Sequence, residues 1–519
     1  MWKSNVMKNI ILSLLFVILI CARCVSFAQQ YDYRNLFSNL LVEAPDTLSI
    51  EYLKELPKFR CVHHDGFDRL DTIPIDSRTR QKNEKYSLAD EKNIGKNSLQ
   101  DECFFAYSEL STSNATFNVG VFGDSAAFNS LNGDKRQRKI EYIDAGRKNY
   151  GFMAKRGDIA GYDAKVAFRI KDIDNFYYVR LTEKELSLYK MERGKKECLW
   201  NKKINDYHTL HALMDADTLH LYADYQYQGR RIVDKYGVNN LCGLLFKGNE
   251  KSLVDDFEVN YLDDYKEVEV DKYIESGTID RRIGGMEAEP GMLTVSKKHS
   301  NGGSYSLRAE LNYHSDWEAH KVANSRRTEI SIGCKNSSSL DSWIYSFDVY
   351  FPGMNDGDEY YAKDSIDELF WQIHTPININ MLSPNVALYL QNDVIRFQTL
   401  TRKILRNDRE SFRSRTETLA KLVDDTSIVS SVRELERGEW HNFTIYVKEG
   451  YSEAQLPRTI VYLDGEKVID WFTPNLQNCG KPATYMKTGI YKWPWATSSP
   501  LKSNVKKRVL YYDNIIYLR

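Results

Sequence analysis

The sequence predicts an all-β protein built as two antiparallel β-sandwiches of jelly-roll type in tandem. Three observations carry this. Short segments of period-2 alternation recur along the chain, among them KVAFRIKDI, NFYYVRLTE, TLHLYADYQ, WIYSFDVYF, VALYLQNDVIRFQTL and HNFTIYVKEG. They are rich in Tyr, Phe, Val and Ile, which suit a pleated half-buried surface, and Gly, Asn and Asp turns separate them. Long amphipathic helical patterns are scarce between them, which argues against parallel α/β layers. The third observation is a divergent internal repeat.

In the first half, YHTLHALMDADTLHLYADYQ is followed by LCGLLFKG and LVDDFEVNYL. In the second, EWHNFTIYVKEG and RTIVYLDGEKVI are followed by YMKTGIYKW and VLYYDNIIYL. Each half reads as a hairpin, a glycine-containing strand, then a closing strand. The charged stretch YLDDYKEVEVDKYIESG marks the junction. The expected division is a leader over 1–28, an accessory sandwich over 29–265, a linker over 266–277 and a second sandwich over 278–519.

Lys3 and Lys8 precede an apolar run from Ile10 to Ile20, and Ser26-Phe27-Ala28 offers small residues for cleavage. This is the pattern of a secretory signal peptide cut after about Ala28, and the run is too short for a comfortable membrane span. The expected location is secreted or periplasmic, and no membrane span is expected. A lipoprotein anchor on Cys21 or Cys24 fits less well, with Ile20 and Arg23 before them. The formal net charge of −1 provides no global field toward nucleic acid. Cys61, Cys103, Cys198, Cys242, Cys334 and Cys479 remain after cleavage, without metal-type spacing. They read either as disulfides or as buried thiols, and no metal is assigned to them.

Residues 402–435 interrupt the second half with partly helical character. Arg402, Lys403, Arg406, Arg409, Arg413 and Arg415 crowd its first part. They form either a solvated surface or a basic wall for a polyanion.

Three strand-like segments of the second half carry the chemistry. SRRTEIS places Arg327, Glu329 and Ser331 at period 2. FWQIH places Gln372 and His374 on one face, with Trp371 and Ile373 on the other. YMKTGIYKW places Tyr485, Lys487 and Tyr491 on one face, with Met486 and Ile490 opposite. Any half-buried strand alternates in this way. A merely solvated face favours Thr, Lys and Glu, however, whereas Arg, Gln, His, Lys and two Tyr gather here. Hydrogen-bond donors with transferable protons suit the binding of a carboxylate and proton transfer beside it.

These segments resemble the motifs of the jelly-roll polysaccharide lyases, above all the alginate lyases of polysaccharide lyase family 7. That family is marked by R-(S/T)-E-L-R, Q-(I/V)-H and Y-F-K-A-G-x-Y-x-Q. Here they stand in the same order as RTEIS, QIH and YMKTGIYKW. GGSYSLRAEL, GEWHNFTIYVK and VYLDGEKVIDW are also similar to the heparin lyase I-like group. The resemblance spans roughly 290–519. It implies a carbon–oxygen lyase that cleaves a uronate-containing acidic polysaccharide of alginate, glucuronan or heparin/heparan sulfate type by β-elimination. Arg327, Gln372, His374 and Tyr491 then stand at catalytic positions. Arg327 and Gln372 neutralise the uronate carboxylate, His374 serves as base or donor, and Tyr491 protonates the leaving oxygen. Lys487, Tyr485, Trp493, Arg402 and Arg406 fall to substrate binding, as does Glu329, which orients Arg327. No cofactor is expected; a structural calcium is left open.

Two departures bear on specificity. Ser331 stands where the family has a second Arg, and Trp493 where it has Gln. Trp493 and Trp495 form either a sugar-stacking edge or a cap on the sandwich. The N-terminal half resembles a laminin-G or concanavalin-like sandwich. Aligning Gly243 with Gly489 sets Leu241 against Lys487 and Leu245 against Tyr491, so the catalytic set is missing there. Two other functions compete. A jelly-roll glycoside hydrolase needs paired carboxylates, but Asp364, Asp367 and Glu368 include no i, i+2 pair. A non-catalytic glycan-binding protein predicts scrambled proton-transfer residues.

Overall fold

The computed structural model describes residues 32–519 apart from 66–86, 89–105, 108–116, 314–325, 333–341, 375–383, 407–419 and shorter stretches. The expected leader and its expected cleavage point after about Ala28 fall outside the described residues, as do Cys103, Cys334 and Cys479. Cys198 is an exposed free thiol, and Cys242 is buried. No helix among the described residues is long and apolar enough to cross a membrane.

The protein is all-β, and the four sheets among its described residues form two sandwiches of repeated topology. In the C-terminal half, one sheet runs through strands Gly284–Glu287, Arg327–Ile332, Tyr485–Tyr491, Glu368–His374, Val386–Gln391, Val394–Arg406 and Ala420–Glu434. Its N-terminal counterpart runs Ala106–Tyr107, Arg138–Asp144, Leu241–Lys247, Ala164–Asp172, Asn175–Leu181, Glu185–Glu192 and Lys195–Lys203. The strands holding Gly489 and Gly243 occupy the same place in their sheets. The second pair of sheets matches as well. Glu466–Trp471, Arg458–Leu463, Trp440–Lys448, Ser342–Tyr350 and Lys507–Leu518 follow the order of Gln226–Ile232, Thr218–Ala223, Thr209–Asp215, Gly151–Arg156 and Leu253–Asp263.

Turn chemistry sets the hairpins. Asp224-Tyr225, Asn392-Asp393 and Asp464-Gly465 each place two consecutive residues at positive φ, the geometry that matches strand twist in a two-residue turn. Of residues 402–435, expected to be partly helical, the described parts instead lie in two paired strands, Val394–Arg406 against Ala420–Glu434, while 407–419 lie outside the described residues. The β-branched residues of TLTRKI and DTSIVSSV favour the extended form over the helix.

Alternation assigns the faces. Ile330, Ile332, Trp371, Ile373, Met486 and Ile490 point inward to a core shared with Trp343, Tyr345, Phe347, Ile445, Val461 and Tyr512 of the facing sheet. On the other side of that facing sheet, Ile344, Tyr446, Ile460, Tyr462 and Leu518 meet Leu213 and Tyr222 of the N-terminal half. Leu36, Phe37, Leu40, Leu53, Leu56 and Phe59 fill the seam between them. Arg458 fixes this N-terminal strap, donating to Leu40 O at 3.0 Å and Val42 O at 2.8 Å while pairing with Asp470. Both large sheets therefore back onto the strap, and the outer faces of the two seven-stranded sheets lie at opposite ends of the stack. Within 266–277, Glu267–Glu269 pairs with Lys507–Leu518, and Val270 and Ile274 enter the C-terminal core.

Candidate active site

Register gathers the polar residues on the outer face of the C-terminal seven-stranded sheet. Arg327 lies opposite Tyr491, Glu329 opposite Gly489 and Ser331 opposite Lys487. Across the other edge of the Tyr485–Tyr491 strand, Gln372 pairs with Lys487 and His374 with Tyr485. Glu287, on the short edge strand, lies opposite Glu329. Residues at i and i+2 share a face, so one strand presents Tyr485, Lys487 and Tyr491 together.

Two features shape the middle of this face. A bulge between Leu369 and Trp371 shifts the register against the Tyr485–Tyr491 strand. Tyr512, from the facing sheet, reaches across the core and donates to Phe370 O (2.9 Å) and Gly489 O (2.8 Å). Nearby, the Tyr345 hydroxyl meets Thr488 Oγ1 at 2.6 Å. The opposite layer thus bonds backbone of this irregular ladder directly, which holds the strand in place.

Four charged groups alternate in sign at the centre. Glu287 accepts from Arg327 Nη1 at 2.9 Å and from Lys487 Nζ at 2.6 Å. Glu329 lies beneath, 3.4 Å from Arg327 Nη1 and 3.9 Å from Lys487 Nζ. Gln372 Nε2 donates to Glu329 Oε1. The Arg327 guanidinium covers the ring of Tyr491 at 4.1 Å, and Lys487 Nζ lies 5.2 Å from the centre of the Tyr485 ring. Tyr485 in turn packs beside His374, their rings 5.8 Å apart.

Burial and charge tune these groups in different directions. Burial raises the Glu329 carboxyl against the pull of Arg327 and Lys487. Burial also acts to raise Glu287, but its bonds to Lys487 and Arg327 outweigh that, and the net effect is a lowered pKa. Tyr491 is raised by burial, with Arg327 opposing; Tyr485 is pushed up to about 12 by burial, reinforced by Glu287. Both phenols are therefore protonated at neutral pH and able to donate. Arg327 Nε, Glu329 Oε2 and Gln372 Oε1 are buried without hydrogen-bond partners among the described residues. Each such orphaned polar atom calls for a partner, and a bound ligand is able to supply one at this face.

Seven of the sequence-derived site residues meet here: Arg327, Glu329, Gln372, His374, Tyr485, Lys487 and Tyr491. Trp493 joins at the rim, 37% exposed, its ring 6.1 Å from that of Tyr491. Trp495 is separate from it, buried in the core edge-on to Tyr313. Arg402 and Arg406 stand apart, three strands from Tyr485 and opposite Asp425 and Ala420. The strand Val386–Gln391 ends its pairing at Thr399, so both arginines lie on an arm running past the His374 end of the site. Glu287 escaped the sequence reading. Its strand is four residues long, and GGME shows too little alternation to mark a functional face.

Asp364 and Glu368 of the acidic run are structural. Lys492 pairs with Asp364 and Glu368 at 3.0 Å each, and Arg508 bonds Glu368 at 2.6 Å, all of them buried. No water-accessible carboxylate pair arises from these two. The carboxylates of Asp271, Glu275 and Asp513 lie within 4.8 Å of one another and are able to hold a cation. They belong to the facing sheet and its flanking helix, and each already accepts a backbone N–H. Glu287, Arg327, Glu329 and Lys487, by contrast, present no acidic excess for a metal.

Residues 262–516 match the family model described as Polysaccharide lyase. No curated protein matches the chain. Among solved structures, it is similar to an endo-β-1,4-glucuronan lyase from the fungus Trichoderma reesei, at 11% identity over 45% of this chain and 89% of that one, TM-score 0.35. It is similar to the alginate lyase Aly36B at 15% identity over 49% and 96%, TM-score 0.30. The alginate lyase AlyC3 matches at 13% identity over 44% and 78%, TM-score 0.28.

Proposed function

We propose, from the premise that residues 262–516 are a polysaccharide lyase domain, that this domain cleaves a uronate-containing polysaccharide by β-elimination. The convergence of Arg327, Gln372, His374, Lys487 and Tyr491 on one sheet face carries this reading. A proton on C5 of a uronate is too weakly acidic while the adjacent carboxylate keeps its full charge. Arg327 neutralises that carboxylate with a planar fork of donors. Gln372, once its amide turns from Glu329, adds a further donor to the enolate-like dianion. His374 takes the C5 proton, the C4–C5 double bond forms as the C4–O bond breaks, and Tyr491 gives its proton to the departing oxygen.

Substrate class follows from the surroundings. Trp493 offers an exposed ring beside Tyr491, suited to stacking on a sugar. Arg402 and Arg406, on the projecting arm, extend the binding path for an anionic chain toward the His374 end. Alginate, glucuronan and heparin or heparan sulfate all have the required uronate. An N-terminal leader ending at about Ala28 takes the enzyme out of the cytoplasm to meet such a polymer.

The N-terminal sandwich, over about 29–265, serves as an accessory glycan-binding module. On its counterpart sheet, Leu245 joins Ala167, Ile170, Phe176, Tyr178 and Tyr189 in an apolar cluster, with Leu241 at its edge. No proton-transfer set stands among these described residues.

Incubation with alginate, glucuronan, heparin and heparan sulfate tests the reading. Elimination leaves a conjugated unsaturated uronate whose ultraviolet absorbance grows with each cut. Reducing ends released without that absorbance overturn the assignment.

A further inference from the structure

Glu287 occupies the most exposed position of the charged ring. Its side chain is 35% exposed, whereas Arg327 is 16%, Lys487 2% and Glu329 2% exposed. The two cations that a lyase needs for an acidic sugar are thus both engaged, and the group facing outward is itself a carboxylate. The ring of two acids and two bases carries no net charge to attract an anion. Glu329 alone already lies within ion-pair reach of both Arg327 and Lys487 from below, so a second carboxylate is not needed to orient them.

The place of Glu287 in the fold suits movement. It sits on a four-residue strand that, among the described residues, pairs on one side only, with Arg327–Ile332. A side chain added at Gly285, two residues earlier, meets nothing within 4 Å. Its neighbours across the ring are held far more firmly, by burial and by central strands.

We propose that Glu287 is a specificity gate: its carboxylate holds the position between Arg327 and Lys487 that the substrate carboxylate takes, and gives way when that group arrives. This rests on the uronate-lyase reading above. A neutral sugar cannot replace the carboxylate on both cations, so it leaves the gate shut. An acidic sugar exchanges one carboxylate for another, and the cations remain paired throughout.

The test compares wild type, Glu287→Gln and Glu287→Asp on a polymer that wild type cleaves and on its methyl-esterified form, with melting curves confirming the fold. Removing the competing charge lowers KM for the acidic polymer roughly two- to fivefold, the scale of one partly exposed charge pair. The gain shrinks as salt rises, is absent on the ester, and is smaller in Glu287→Asp. A KM unchanged or raised in Glu287→Gln, with kcat lowered and restored in Glu287→Asp, overturns the gate and leaves a positioning role. If wild type yields no unsaturated product from any polymer, the lyase reading fails on its own. The gate is then judged by calorimetric binding of a uronate oligosaccharide to wild type and Glu287→Gln. Tighter binding to the variant supports it; equal or weaker binding overturns it.

Discussion

Gly489 lies directly across the ladder from Glu329, and a Cβ at 489 would stand 2.7 Å from the Glu329 Cα and 2.1 Å from Thr328 O. Its φ of +139° is one that side chains rarely adopt. Two strands that carry charged groups on one face are thereby brought together at their centre. Gly489→Ala forces them apart. We expect a loss of about 1–3 kcal/mol in stability, read by chemical denaturation, with kcat lowered through displaced Arg327 and Lys487. An alanine variant of unchanged stability and rate would show that the close approach is dispensable.

Tyr512 acts on the same strand from the opposite layer. Its hydroxyl is the partner of both Phe370 O and Gly489 O, and it is fully buried. Tyr512→Phe removes the hydroxyl that both carbonyls share in the core, at a cost of about 1–3 kcal/mol. Because both belong to strands of the site, kcat should fall more than KM rises. Steady-state kinetics at a temperature well below melting separate the two effects.

Tyr491→Phe removes one oxygen and keeps the ring that packs under Arg327. Turnover should fall about 10²–10⁴-fold, the usual share of a general acid, while calorimetric affinity for oligosaccharide changes little. Retention of wild-type kcat would move the proton donor elsewhere on the face, with Tyr485 the next phenol to test.

Much of this site could be read from sequence because strand alternation maps directly onto sheet faces. RTE, QIH and YMKTGIY each declare an inner and an outer side, and only the pairing was needed to join them. The repeat gave the topology for the same reason, since LCGLLFKG and YMKTGIYKW fill equivalent places. Glu287 was hidden because a four-residue edge strand has no period to detect. The partners of Gln372 and Lys487 were hidden as well, since they depend on which strands adjoin. The 402–435 segment misled because its charges resemble a solvated helix face, whereas pairing across the hairpin decided its form. Trp493 and Trp495 lie two residues apart, yet the short helix Pro494–Thr497 sends one to solvent and the other to the core.

The strap between the sandwiches makes a prediction away from the chemistry. Arg458 is 1% exposed, pairs with the buried Asp470 and caps two strap carbonyls. Arg458→Ala takes the cation from Asp470, which among the described residues keeps only the Ala44 N–H at 2.8 Å, and should cost about 3–5 kcal/mol. Limited proteolysis should then cut within 36–56, where the wild-type strap resists. The seven-stranded sheet lies on the other side of the core, so kcat of the folded fraction should hold. A strap equally protected in the variant would show that apolar contacts suffice to dock it.

Acid should loosen the C-terminal sandwich through Glu368. Burial alone raises this carboxyl, but Arg508 and Lys492 outweigh it and bring it down to about 2, against an ordinary value of 4.5. A group with a depressed folded pKa contributes stability that is fully present above its unfolded value and is lost as pH falls toward the folded one. The expected window is therefore from about pH 5 down to about pH 2. Wild-type stability should decline across that range, followed by denaturant midpoints at stepped pH. Glu368→Gln should be less stable at pH 7, because Lys492 and Arg508 lose a buried counter-charge, and its decline with acid should be shallower. A variant whose midpoint tracks wild type in parallel across the window would place the acid sensitivity in other carboxylates, Glu310 first, since its carboxyl is also held down to about 2.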